Sequence, residues 1–136
     1  MENIFKKDLS GALVSPNEPG YDELINSIFD TMKLAYELNT GYHTPEEIRN
    51  YLSQIIGRKV DESVTLLPPF YVDFGKNIRI GRRCWIQQGC TFFDRGGITI
   101  GNDVFNSVVT HDVPPYTVVG GNPAKFIKEI RLKKQM

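Results

Sequence analysis

Two histidines are the only imidazoles in the chain, and one of them stands where it could do chemistry. His111 lies in Thr110-His111-Asp112, which has the look of a general base with a neighbouring carboxylate to orient it. His43 sits in Gly41-Tyr42-His43-Thr44, ahead of a helical pattern, and reads as a turn residue. Two histidines are one short of the three ligands a catalytic zinc site would want. Cys84 and Cys90 have neither CxxC spacing nor a histidine companion, so they read as packing residues and no metal is expected. The chain ends in a cationic run, Lys125, Lys128, Arg131, Lys133 and Lys134, suited either to attracting phosphates or to sitting solvated at the surface. Gly120-Gly121-Asn122-Pro123-Ala124-Lys125 is not a P-loop, because the GKS/T ending and the strand-to-helix frame are missing.

The elements that must hold these residues are drawn from 136 residues with 16 basic and 16 acidic side chains, 40% hydrophobic and 24% charged. That composition suits one globular domain, or a domain with a small appendage, and excludes a disordered or coiled-coil chain. No apolar run approaches the ~20 residues of a membrane span, and Met1–Ser10 lacks the apolar centre of a signal peptide, so a soluble, cytoplasmic chain without membrane contact is expected. The net charge of zero conceals an asymmetry: residues 1–62 carry eleven acids against six bases, and residues 63–136 five against ten. Either the second half meets an anion, such as a phosphorylated cofactor, or the halves attract one another. Nucleic acid is not expected, since no basic sheet interleaved with aromatics and no recognition helix accompanies the charge.

Residues 1–57 read as a short irregular arm followed by a helical hairpin. Tyr21, Leu24, Ile25, Ile28, Met32 and Ala35 recur at three- and four-residue steps and predict one apolar helix face. In the second helix, Thr44 is the expected N-cap, Pro45 the first helical residue, Glu47 the partner in a capping box, and Gly57 the left-handed residue past the end. Ile48, Tyr51, Leu52 and Ile55 form its buried stripe. Two such helices cannot bury their apolar faces alone, so they are expected to pack on the second half.

From Tyr71 the helical period gives way to a period of six: Ile80-Gly81, Ile86, Phe92 and Ile98, with Ile100-Gly101 resetting the phase. Cys84 and Cys90 share one place in the hexads, a second inward position that takes a small side chain. Aliphatic, glycine or polar, and small residues at fixed offsets are the mark of stacked parallel strands in a solenoid. Ile100 and Val109 both look inward yet lie nine residues apart, so a rearrangement is expected over residues 104–108. The expected organisation is a hairpin domain over residues 1–57, a short β-helix over 58–122, and a basic helical tail over 123–136 whose apolar face is Phe126, Ile127 and Ile130.

The stretches NIRIGRRCWIQQGCTFFDRGGITIGNDVF and SVVTHDVPPYTVVGGNPAKFIKEI closely resemble the maltose and galactoside O-acetyltransferase group of the hexapeptide-repeat, left-handed β-helix acyltransferases. The helical hairpin resembles that group's N-terminal domain. The resemblance implies a mainly β fold with added helices, a homotrimer, and acetyl-CoA lying between neighbouring subunits as donor to a sugar hydroxyl of a maltose, glucose or galactoside acceptor. It also implies direct transfer without a covalent enzyme intermediate, a histidine serving as base and nearby donors stabilising the oxyanion.

The family's base lies on a coil that follows an IGNDVF-like segment. Here Phe105 is followed by Asn106 and Ser107, which resemble the last coil before the C-terminal tail, so the chain is expected to lack several internal coils, including the one with the base. A catalytically impaired trimeric scaffold or CoA binder is therefore the alternative to an active enzyme. By match, Thr110, His111, Lys125 and Lys128 fall on the cofactor side, which leaves His111 only a substitute base. Asp73, Trp85, Gln87 and Asp94 match acceptor-contacting positions. Trp85 serves equally well as a packing residue between subunits.

Overall fold

The computed structural model of the chain describes residues 3–106, 112–120 and 125–129. The arm expected to be irregular begins with a helix, α1 (Ile4–Leu9), capped by the Asn3 side chain, which accepts the Phe5 N–H at 2.8 Å. Ile4 and Phe74 are buried together, and the Phe5 and Phe74 rings stack at 5.9 Å. Six residues of helix are marginal alone, so α1 is held by what it packs on.

Helix α2 (Tyr21–Asn39) and helix α3 (Pro45–Ile56) form the expected hairpin. The α3 ends follow the sequence reading. Thr44 accepts from the Glu47 N–H while Glu47 accepts from the Thr44 N–H, Pro45 opens the helix, and Gly57 closes it at φ 70°. The hydrogen bonds from Thr44 hold the Glu47 carboxyl below its usual range. The α2 face is rotated from expectation: Leu24, Thr31 and Leu38 are buried, whereas Met32 is 51% exposed. Thr31 goes in because its hydroxyl donates to the Phe74 carbonyl at 2.6 Å. A buried hydroxyl that finds a tertiary partner costs little, so the helix turns a polar residue inward where periodicity favours Met32.

After α3 the chain coils through three parallel ladders. β1 (Thr65–Leu66), β4 (Trp85–Ile86) and β7 (Phe105–Asn106) stack in the first sheet, β2 (Tyr71–Val72) and β5 (Thr91–Phe92) in the second, and β3 (Ile78–Ile80) and β6 (Ile98–Ile100) in the third. Each pair is in register at a step of 20 residues, as in Thr65, Trp85 and Phe105. The step equalises the columns of inward side chains: Val64, Cys84 and Val104 form one, Leu66 and Ile86 another, Ile78 and Ile98 a third, all within 2% of full burial. The shared hexad position of Cys84 and Cys90 is thus an inward corner, and burial pushes the Cys90 thiol up to about 11. Gly75, at φ 90°, lets α3 approach the coil, because a Cβ there would stand 2.5 Å from the Ile55 carbonyl oxygen.

The third turn is shorter. Ile100 bridges in parallel to Val113, and Phe105 pairs with Val118 of β8 (Thr117–Gly120), both at a step of 13. Phe105 and Asn106 still keep the 20-residue register with Trp85 and Ile86, and Val104 is buried. Of the expected rearrangement at 104–108, residues 104–106 take no part, and 107–108 lie outside the described residues. The step falls by seven, from 20 to 13, over the stretch between Asn106 and Val113, in which residues 107–111, with Val109, lie outside the described residues.

The C-terminal helix is not formed over the residues that can be described. β9 (Lys125–Glu129) runs antiparallel to β8 and ends the first sheet. The unpaired edge of β8 offers backbone partners, and satisfying that edge overrides the local helical pattern of Phe126 and Ile127.

Phe92 is fully buried and meets Phe70 edge to face at 5.2 Å. Phe92→Ala is expected to lower unfolding stability by about 3–5 kcal/mol, against about 1 kcal/mol for Thr44→Ala at the α3 cap. Urea midpoints of the two variants measured side by side check the ranking.

Candidate functional site

The sequence-matched acceptor residues fall into two pairs on two sheets. Trp85 and Gln87 share the first: the indole Nε1–H donates to Gln87 Oε1 at 2.8 Å, and the ring stacks on Phe105 at 6.3 Å with 28° between planes. Parallel register produces this aromatic step, since Trp85 and Phe105 are Cα partners. Asp73 and Asp94 lie at the end of the second sheet, where the Asp73 N–H donates to the Phe92 carbonyl at 3.1 Å.

Asp94 does not stand where an acceptor could reach it. It is fully buried, and its two carboxylate oxygens accept the Phe74 N–H at 2.8 Å and the Asn77 N–H at 3.1 Å. It anchors the turn, with two backbone donors supplying the bonds a buried carboxylate requires. Its neighbour Arg95 turns outward and grips Asp8 of α1 with two bonds, at 2.9 and 2.6 Å. Asp8 is nearly buried, and this bond raises the Arg95 guanidinium above its usual value. The acidic and basic halves thus do attract one another here. The two residues are 87 apart in sequence, and no local pattern links them.

Asp73 is half-buried at one end of an open groove of about 750 Å³ between α2 and the second sheet, whose walls include Met32, Ala35, Tyr36, Tyr71 and Val72. Burial raises its carboxyl, with Arg95 pulling the other way and Asp94 and Asp8 adding to the rise. Asn39, at the same groove, is committed: its side chain both donates to and accepts from the Phe70 backbone, at 2.9 and 2.8 Å. Sequence reading missed the groove because Met32 is drawn there as a core residue.

His43 is a turn residue, as expected. Its Nε2 lies 2.9 Å from the Glu37 carbonyl and 3.2 Å from that of Thr40. Both partners are acceptors, so Nε2 carries the proton and donates at the end of α2. Thr110 and His111 lie outside the described residues. Asp112 accepts the Thr99 N–H at 2.6 Å and lines a second groove, of about 910 Å³, with Arg58, Arg79 and Thr99. Its carboxylate therefore serves the ladder of the third sheet. Lys125 and Lys128 are both in β9, where Lys128 is exposed and pairs in register with Val118. Among the described residues no cluster of His, Cys, Asp and Glu could hold a metal ion, and no helix is long and apolar enough to cross a membrane.

No family model matches the chain. A Staphylococcus aureus (strain MRSA252) protein with an acetyltransferase name is 23% identical over 79% of this chain and 83% of its own length. A probable macrolide acetyltransferase of Lysinibacillus sphaericus is 35% identical over 71% of this chain and 53% of its own length. The galactoside O-acetyltransferase of Escherichia coli (strain K12) is 34% identical over 52% and 35%. Among solved structures, a galactoside acetyltransferase in complex with coenzyme A aligns at TM-score 0.60 and 19% identity, over 96% of this chain and 92% of that one. A maltose O-acetyltransferase of Clostridium difficile 630 aligns at 0.55 and 22%, over 96% and 99%. A hexapeptide-repeat acetyltransferase of Vibrio cholerae complexed with acetyl-CoA aligns at 0.54 and 22%, over 93% and 97%. At these identities the structural likeness is one of fold, and the resemblance expected from the sequence is met: these neighbours are maltose, galactoside and hexapeptide-repeat acetyltransferases.

Because the Asp73 carboxyl is raised on folding, the folded chain holds this proton more tightly than the unfolded one. The group therefore costs stability as pH rises through its two values and costs nothing below both. Asp73→Asn is expected to raise the urea midpoint near pH 7 and leave it unchanged at about pH 3. A lower midpoint for the variant at neutral pH would contradict this assignment.

Proposed function

We propose that the chain is an acetyl-CoA-dependent O-acetyltransferase of the maltose and galactoside type, acting on a sugar hydroxyl by direct transfer. The observation that carries this reading is the stack of three parallel ladders at a 20-residue step, behind a helical hairpin, in the fold of solved acetyltransferases, two of them bound to coenzyme A or acetyl-CoA. In the reaction a base removes the acceptor hydroxyl proton, the oxygen attacks the thioester carbonyl, and the tetrahedral intermediate expels the coenzyme A thiolate, which takes up the proton. His43 is held at the end of α2 by two carbonyls, which leaves His111 as the imidazole available for that step.

Lys125 and Lys128, with Thr110 and His111, are assigned to the cofactor side. The exposed Lys128 on β9 suits an ammonium that meets a phosphate. Trp85 and Gln87 are assigned to the acceptor, the indole suiting a pyranose face and the amide its hydroxyls; Asp73, matched to the same role, lies apart from them on the second sheet. A homotrimer completes the cofactor site between subunits, and the cytoplasm supplies acetyl-CoA and keeps Cys84 and Cys90 reduced.

A second reading is favoured by the third turn, whose step falls from 20 to 13. The alignment with the Staphylococcus aureus protein runs over 165 positions, more than the 136 residues of the chain, so that relative has internal residues without a counterpart here. On this reading the chain is a shortened relative that keeps coenzyme A binding or trimeric assembly without turnover.

Acceptor-dependent release of free thiol from acetyl-CoA, with maltose, glucose and a galactoside in turn, separates the two. The first reading expects turnover that falls about 10²-fold or more in His111→Ala. Coenzyme A binding by calorimetry without turnover would establish the second. Lys125→Ala with Lys128→Ala is expected to weaken coenzyme A binding by about tenfold, and a solution mass of three chains is expected. A monomer would remove the shared cofactor site and the enzyme reading with it.

A further inference from the structure

The groove between α2 and the second sheet has an apolar wall on each side and one carboxylate at its end. Met32, Tyr36 and Tyr71 are 51%, 71% and 49% exposed, so the walls present ring and thioether surface to whatever enters. A volume of about 750 Å³ falls within the range of small-molecule clefts. Among the described residues, no hydrogen bond is made to the half-buried Asp73 carboxylate, while the groove's other polar side chain, Asn39, is fully engaged with Phe70. The nearest cation, Arg95, acts on Asp73 only through space, since Asp8 holds its guanidinium at 2.9 and 2.6 Å. The like charges of Asp94 and Asp8 oppose it. The charge at this end of the groove is therefore complemented from outside.

We propose that this groove is a binding site for a small amphiphilic cation, its ammonium group meeting Asp73 and its apolar body lying along the walls that Met32, Tyr36, Tyr71 and Val72 form. Two tyrosines and a carboxylate around one apolar cleft are the composition that recognises an ammonium group, as in aromatic cages for quaternary amines. A neutral sugar would find here one acceptor group and little to hydrogen-bond with, and an anion would meet an unfavourable charge. As a binding site the groove stands without the acetyl-transfer reading.

Calorimetric titration of the full chain, without acetyl-CoA, tests it with octyltrimethylammonium, octyl glucoside and octyl sulfate, each below its micelle concentration. The cation is expected to bind at least about tenfold tighter than the other two. Asp73→Asn, which is expected to fold at least as well as the parent, abolishes the preference. Tyr36→Ala weakens the cation several-fold, and the remote charge control Glu62→Gln changes neither. Equal binding of the cation and the sulfate overturns the proposal. So does absence of binding in a multimer whose mass falls in Met32→Lys, since a second copy then covers the groove. A chain that binds the cation but transfers no acetyl group keeps this site and loses the acetyl-transfer reading; one that acetylates sugars without binding the cation does the reverse.

Discussion

A strand of two or three residues has no stability of its own, and every strand of the coil up to β7 is that short. What holds them is the equal 20-residue step, which sets like beside like in the columns of inward side chains and brings each backbone donor opposite a carbonyl of the next turn. The Trp85 N–H meets Val104 at 2.8 Å and the Gly81 N–H meets Ile100 at 2.9 Å by this one spacing. A single insertion within a turn would carry both faces out of register. The corners must accordingly be fixed as firmly as the strands, and buried Asp94 does so by accepting two backbone N–H groups. The helical hairpin then covers the open side: α3 comes close over Gly75, and Lys76 donates to the Ile55 carbonyl at the helix end, at 2.5 Å.

Features written in local chemistry were legible in the sequence. The cap at Thr44, Pro45 and Glu47 and the left-handed Gly57 need only four or five neighbouring residues, and the hexads of Ile86, Phe92 and Ile98 repeat one buried environment, with Ile80 partly buried beside them. Features that depend on a distant partner were not. Thr31 displaces Met32 from the core because of a carbonyl 43 residues away, and Asp8 pairs with Arg95 across 87 residues. Lys125–Glu129 carries an apolar pattern that reads as helix, yet it follows the free edge of β8. The site was legible in part: Asp73 and Asp94 do lie together, and so do Trp85 and Gln87, but the pairs sit on separate sheets and Asp94 is closed off.

The charge asymmetry divides in the same way. Arg95 and Lys76, two of the bases in the second half, are spent on the first half, the one on Asp8 and the other on the carbonyls at the end of α3. Arg83 is paired within its own half, with Asp103 at 2.7 and 2.9 Å. The positive excess that remains for a partner is thus shifted toward Arg79, in the wall of the groove beside Asp112, and toward β9 with its exposed Lys128. An anion drawn to these charges would be guided to the third sheet and to β9.

That third turn is where the fold departs from its own rule. The first and third sheets continue across it at a step of 13, through Val118 and Val113, whereas the second sheet ends among the described residues at β5. The inward columns under the other two sheets survive, with Val104 and Val113 still buried. The cost falls on β5, whose upper edge meets no further strand among the described residues and whose neighbour Phe93 stays half exposed. The same face carries Tyr71 and Asp73. The groove lies on the other side of that sheet, where α2 packs on β2, so the strand pair β2 and β5 separates a ligand seated along α2 from the uncovered edge.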